Sequence, residues 1–129
     1  MNGLHLTADL YDCQQPSLLT DEAALQQLCL SQVELAGLKA VSACWHQFPA
    51  SEAGPGGITG VVLLAESHLA LHTWPERSGV TLDVYVCNFG ADNSNKAESL
   101  LAALLAAFEP RQQQLGRLQR GDATTDHAI

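Results

Sequence analysis

The spacing of apolar side chains changes period several times along this chain, and each change marks an element. Leu4, Leu6, Ala8 and Leu10 occupy every second position, which predicts a half-buried strand. Asp12 to Ser17, with Pro16, reads as a turn. Thr20 offers an N-cap, and Asp21 and Glu22 place negative charge in a first helical turn. Ala24, Leu25, Leu28 and Leu35 then recur at about helical period, and Gly37 is a suitable C-terminal stop, so residues 21–36 are expected to form a helix with one face on a sheet. Leu38 to Phe48 reads as a second strand. Residues 49–57, PASEAGPGG, are a loop by composition. Three more strands follow, Ile58 to Ala65, Ser67 to Trp74 and Val80 to Cys87, with Pro75 ending the middle one or marking a bulge. Residues 88–95 are polar and turn-like. Leu100, Leu101, Leu104 and Leu105 make Ala97 to Phe108 an amphipathic helix. Gln112 to Leu118 reads as a last strand, and residues 121–129 are expected to form a flexible tail.

The predicted order is β-α-β-β-β-β-α-β. Short connections between the middle strands call for antiparallel pairing. Two helices over one sheet give an α+β fold, a two-layer sandwich of a mainly antiparallel sheet with both helices on one face. The other face would be left open, which usually signals a partner. A chain of 129 residues suits one domain, here residues 1–120, that buries roughly two thirds of its unfolded surface. At 47% hydrophobic residues it can build a core without disulfides.

The net charge of −8, with only six basic residues, argues against a nucleic-acid partner, because phosphate recognition needs a basic face. An acidic surface suits a cationic small molecule, although it also serves plain solubility. Cys13, Cys29, Cys44 and Cys87 form no C-x-x-C pair, so no zinc knuckle and no other metal centre is expected. No signal peptide or long apolar span is read, no membrane partner is expected, and reduced thiols in the cytoplasm are the default.

Polar and reactive groups are dense in the middle of the chain. Between Glu66 and Glu76 lie a serine, two histidines, a tryptophan and two glutamates, with aliphatic flanks. Such groups are costly in a sheet unless they are paired or used. Glu66-Ser67-His68, His72-Thr73-Trp74-Pro75-Glu76 and Asp83-Val84-Tyr85-Val86-Cys87, with Leu10-Tyr11-Asp12-Cys13, Phe48 and the Gly56–Val62 run, resemble the prokaryotic S-adenosylmethionine decarboxylase family of small pyruvoyl-dependent enzymes. The resemblance covers roughly residues 4 to 110, and family members pair their sheets in homodimers.

The resemblance implies self-processing at Glu66-Ser67. Ser67 Oγ attacks the Glu66 carbonyl, the peptide becomes an ester, and elimination and hydrolysis leave a pyruvoyl group at residue 67. The products would be a β chain, 1–66, and an α chain, 67–129. It gives His72 the role of processing base, and Thr59 a supporting role at a position the family usually fills with serine. The pyruvoyl group derived from Ser67 would form a Schiff base with a substrate amine and replace pyridoxal phosphate as electron sink. Cys87, twenty residues after Ser67, would protonate the product. Glu76 would bind ribose hydroxyls and Phe48 would stack on adenine. The expected product is the aminopropyl donor for spermidine in polyamine biosynthesis.

Taken singly, most of these residues have ordinary readings. Ser67 would be a strand-end serine, Cys87 a small hydrophobe, Phe48 core and Glu76 a solvated carboxylate. Cys13, Cys29 and Cys44 read as packing, Trp74 as structural, and His68 receives no catalytic role. One geometric demand stands out. Ser67 and His72 are five apart, so a regular strand turns them to opposite faces, and a bulge or turn at Ser67 would be needed to bring them together. Arg77-Ser78-Gly79, Asn88-Phe89-Gly90 and the long loop before Thr59 depart from the family pattern. They leave open the same chemistry on L-arginine or L-ornithine, or a non-catalytic dimeric binding relative.

Overall fold

A computed structural model describes residues 2–121. Six strands form a single sheet: β1 (Gly3–Cys13), β2 (Ala40–Gln47), β3 (Ile58–Leu64), β4 (Ser67–Trp74), β5 (Gly79–Cys87) and β6 (Pro110–Arg120). Their spatial order is β2-β3-β4-β5-β1-β6, and every neighbouring pair is antiparallel. The first strand therefore lies inside the sheet, between β5 and β6.

Helices α1 (Glu22–Leu35) and α2 (Ser94–Phe108) cover one face. Beneath them lie the alternate residues of the strands: Leu4, Leu6, Ala8 and Leu10 of β1, Leu69 and Leu71 of β4, and Val80, Leu82, Val84 and Val86 of β5, all buried. From the helices come Leu25, Cys29, Val33, Leu100, Leu104 and Phe108. Period two from the strands and period 3.6 from the helices thus meet in one layer. The expected two-layer α+β architecture is the observed one.

Local chemistry sets the helix ends. Asp21, not Thr20, caps α1: its Oδ1 accepts the Ala24 N–H at 3.1 Å, and only Asp21 stands three residues before that donor. Thr20 instead closes the short 3-10 helix Pro16–Leu19, and its carbonyl accepts from Gln47 Nε2 at 2.6 Å. Gly37 does stop α1. At φ +86° it donates to the Glu34 carbonyl while Leu38 donates to Val33, the paired bonds of a Schellman motif. Gly60 has a packing reason: the Trp45 ring of β2 lies where a side chain would project.

Burial sorts the cysteines. Cys13 and Cys29 are core, and desolvation pushes the Cys29 thiol up to about 12. Cys44 is not a packing residue. It lies exposed on the outermost strand β2, whose sides are mostly in solvent. The expected tail lies outside the described residues beyond 121.

Phe108 closes α2 against the sheet and is fully buried. Phe108→Ala should cost about 3–5 kcal/mol through lost transfer energy and a cavity. Urea unfolding should show this as a lower midpoint at unchanged slope.

Candidate active site

The turn between β3 and β4 is held from two sides. Glu66 Oε1 accepts the Lys39 N–H at 3.1 Å, and the Ala65 N–H donates to the Lys39 carbonyl at 2.8 Å. On the other side the Cys87 N–H donates to the Glu66 carbonyl at 2.7 Å. Ser67 follows with φ +154°, a backbone geometry that costs a non-glycine residue of order 1–3 kcal/mol. A serine hydroxyl, a strained peptide and a carbonyl already polarised by a short N–H bond thus occur at one junction.

Cys87 ends β5 beside this turn. With Ala65, Glu66, Phe89, Ala91 and Asn93 it lines a cavity of about 570 Å³. The loop after Cys87 is fixed by two carboxamides. Asn93 Nδ2 donates to the Cys87 carbonyl at 2.9 Å, and Asn88 Oδ1 accepts the Asn93 N–H at 2.8 Å. Asn93 is buried, so its satisfied amide is part of the frame that sets Cys87. Asn88 is one of the departures from the family pattern, and here it is structural.

A second group lies at the far end of β4. His72 Nδ1 hydrogen-bonds Thr59 Oγ1 directly across the β3–β4 ladder. Ring contacts extend from His72 to Trp74 (centroids 4.1 Å) and Phe48 (6.0 Å), and from Phe48 to His46 (4.6 Å). Phe48 is 44% exposed, so it is not a core residue. Glu76 sits in the 3-10 helix Pro75–Arg77, exposed, in a cleft shared with Asp9, Tyr11, Trp74, Arg77 and Thr81.

These two groups do not meet within one chain. The β4 register runs without a bulge from Ser67↔Leu64 to His72↔Thr59 on one side and from Ser67↔Val86 to Trp74↔Gly79 on the other. The bulge or turn that would unite Ser67 and His72 is therefore absent between them. Five strand residues at about 3.3 Å each separate them by about 16 Å. Glu66, Ser67 and Cys87 form one cluster, and Thr59, His72 and Phe48 another.

The fold that carries these groups is that of known proteins. The S-adenosylmethionine decarboxylase family model matches residues 4–121. The chain belongs to that family. Members of the family are pyruvoyl-dependent decarboxylases. The S-adenosylmethionine decarboxylase proenzyme of Archaeoglobus fulgidus is 34% identical over 119 residues, 92% of this chain and 97% of that protein. The proenzyme of the same name from Thermoplasma acidophilum is 35% identical over 120 residues, 93% of this chain and 84% of its own length. The crystal structure of the adenosylmethionine decarboxylase from Aquifex aeolicus superposes with a TM-score of 0.82 at 33% identity, covering 95% of this chain and 93% of that one. Membership covers the whole described fold and is not confined to the central motif.

Sequence reasoning passed over His5 and gave His68 no partner. Both reach Asp83 on the face of the sheet away from the helices. The alternation Thr81, Asp83, Tyr85, Cys87 placed Asp83 on that face, but pairing it with His5 required knowing that β1 lies beside β5. Thr73, read only as part of a motif, also has a role. Its buried hydroxyl accepts the Ile58 N–H at 2.9 Å and donates to the Leu19 carbonyl at 2.8 Å, tying the end of β4 to the first 3-10 helix. Thr73→Val should leave both partners unpaired and cost about 1–3 kcal/mol, read as a lower midpoint of thermal or urea unfolding.

Proposed function

We propose that this chain is a proenzyme that cuts itself between Glu66 and Ser67 and then decarboxylates S-adenosylmethionine. The observation that carries this reading is the Cys87 N–H on the Glu66 carbonyl, beside a serine in a strained conformation. A donor aimed at a carbonyl oxygen stabilises the charge that gathers there when a nucleophile adds. Ser67 Oγ adds to the Glu66 carbonyl carbon, the Glu66–Ser67 C–N bond breaks, and the acyl group moves to oxygen. Loss of the Ser67 α-proton expels the Glu66 carboxylate and leaves a dehydroalanine. Water then enters and ammonia leaves, so residue 67 becomes a pyruvoyl group at the start of the α chain, 67–129.

The residues at the junction fit such a group. The Glu66 side of the turn is anchored to Lys39 and Cys87, and Cys87 lines the cavity beside it. The pyruvoyl group supplies the electron sink for loss of carbon dioxide. Cys87 holds a proton at Sγ beside that site and delivers it to the decarboxylated carbon. The acidic balance of the chain favours a sulfonium substrate, and family membership favours S-adenosylmethionine in particular.

His72, Thr59, Phe48 and Glu76 are assigned to a second copy. Within one chain His72 stands about 16 Å from Ser67, too far to take its proton. A homodimer of αβ units packing the open faces of their sheets would place His72 and Thr59 of one copy at the Ser67 junction of the other. Phe48 and Glu76 would arrive with them as the adenine and ribose contacts. The open face supports this with Tyr11, Leu63, Trp74 and Leu118, each 40–56% exposed. Among the described residues no helix is long and apolar enough to cross a membrane.

Intact mass under denaturing conditions tests the reading. Two chains should appear, split between Glu66 and Ser67, their masses summing to the precursor plus one water minus one ammonia. S-adenosylmethionine, arginine and ornithine assayed side by side should release carbon dioxide only with the first. One unbroken chain without activity would leave a non-catalytic binding relative. Ser67→Ala should stay whole and release no carbon dioxide. Cys87→Ala keeps its backbone N–H, so it should still cut, but with kcat lowered by roughly 10²–10⁴. Normal turnover would remove Cys87 from the proton-donor role.

A further inference from the structure

The open face of the sheet carries a polar network that the mechanism above does not use. Asp83 Oδ2 accepts from His68 Nε2 at 2.8 Å and from His5 Nε2 at 2.9 Å. Arg120 Nη1 lies 2.9 Å from His5 Nδ1. A guanidinium can only donate, so His5 Nδ1 must accept, and its proton is on Nε2 facing Asp83. The Tyr85 ring lies against both imidazoles, with centroids 5.2 Å from His5 and 5.9 Å from His68, and Arg120 covers its face at 5.3 Å. The three ligand-type atoms lie within 4.8 Å of one another, near enough for a cation. A metal on His5 Nε2 would force the proton to Nδ1, against Arg120. The arrangement is a hydrogen-bonded network and not a metal centre.

Its place in the fold gives it a task. His68 is the residue after Ser67. It pairs with Tyr85, and so does His5 from the other side, which puts Asp83 diagonal to both. The Glu66 side of the junction is anchored by Lys39 and Cys87. On the Ser67 side, among the described residues, the first side-chain anchor is His68.

We propose that His68, Asp83 and His5 form a positioning network that holds residue 67 in place, both before and after the chain is cut. Before the cut, the His68–Asp83 bond fixes the first residues of β4 and maintains Ser67 in its positive-φ geometry next to the Glu66 carbonyl. After the cut, residue 67 is a chain end. Chain ends fray unless tied down, and His68 is then the second residue of the new chain. Its bond to Asp83, itself braced by His5 and Arg120, keeps the modified residue at the Cys87 cavity. These are positioning residues, since none of them touches the reacting atoms. The inference rests on the reading that Glu66–Ser67 is the bond that breaks.

The test compares His68→Gln with His68→Asn in the full chain. The Gln amide nitrogen reaches about where imidazole Nε2 sits and can still donate to Asp83; the Asn amide stops short. Cleavage is followed by intact mass during cell-free synthesis, and kcat and KM are measured per cut chain. His68→Asn should cut at least about tenfold more slowly and lower kcat while KM moves little; about 1.4 kcal/mol corresponds to that tenfold. His68→Gln should recover both to within about threefold. The same substitutions in the Ser67→Ala background, which stays whole, give melting temperatures that report folding without cleavage, and these should match one another. Cleavage of His68→Asn at the wild-type rate would overturn the proposal, as would a His68→Gln as slow as His68→Asn, or a slowing that simply tracks a lower melting temperature. A wild-type chain that never cuts would overturn the cleavage reading and this one with it. A wild type that cuts, beside an equally fast His68→Asn, would overturn this one alone.

Discussion

The hydrogen bond from the Cys87 N–H to the Glu66 carbonyl belongs to the sheet and to the site at once. It continues the β4–β5 pairing one step past Ser67↔Val86, at the point where the chain turns out of β3. Its geometry therefore depends on the entire register of the central strands, which is fixed by burial of Leu69 and Leu71 on one side and Val84 and Val86 on the other. A slip of either strand by one residue would turn its own buried pair to the open face and move the donor away from the carbonyl. Packing energy spread over the core thus sets the position of a single backbone N–H.

This dependence explains how the two faces of the sheet divide their work. Among the described residues, the buried strand positions under α1 and α2 are apolar apart from Thr73, and their task is to hold the register. The open face carries the histidines His5, His68 and His72, together with Asp83, Tyr85 and Trp74. Alternation along β4 is what allows one strand to serve both purposes. Leu69, Leu71 and Thr73 point inward while His68 and His72 point outward.

Much of this was legible in the sequence because period and punctuation are local signals. The spacing of Leu100, Leu101, Leu104 and Leu105 announced α2, Gly37 announced the end of α1, and β4 began at Ser67 and ended at Trp74 as read. Glu66, Ser67 and Cys87 could be associated from the motif, and the fold does bring the Glu66–Ser67 junction to the end of β5. What was not legible depends on pairing between distant segments. Nothing local says that the first strand inserts between β5 and β6, so His5 could not be matched with Asp83, 78 residues away. The choice of Asp21 over Thr20 as cap turned on one residue of frame, where two good capping residues stand side by side. Cys44 was misplaced because an alternating edge strand looks the same in sequence whether or not a layer covers it.

The strand order also determines what kind of object a cut chain would be. Severing Glu66 from Ser67 leaves β1, β2, β3 and α1 in one fragment and β4, β5, β6 and α2 in the other. In the sheet these do not lie side by side as two blocks. β3 borders β4, and β1 of the first fragment is threaded between β5 and β6 of the second. Three ladders, β3–β4, β1–β5 and β1–β6, join the two pieces, along with the shared core beneath the helices. Separation would require withdrawing an eleven-residue central strand from both its neighbours at once. The fragments are interlaced, so dilution alone offers no easy path to dissociation, and the loss of one peptide bond leaves the molecule a single mechanical unit.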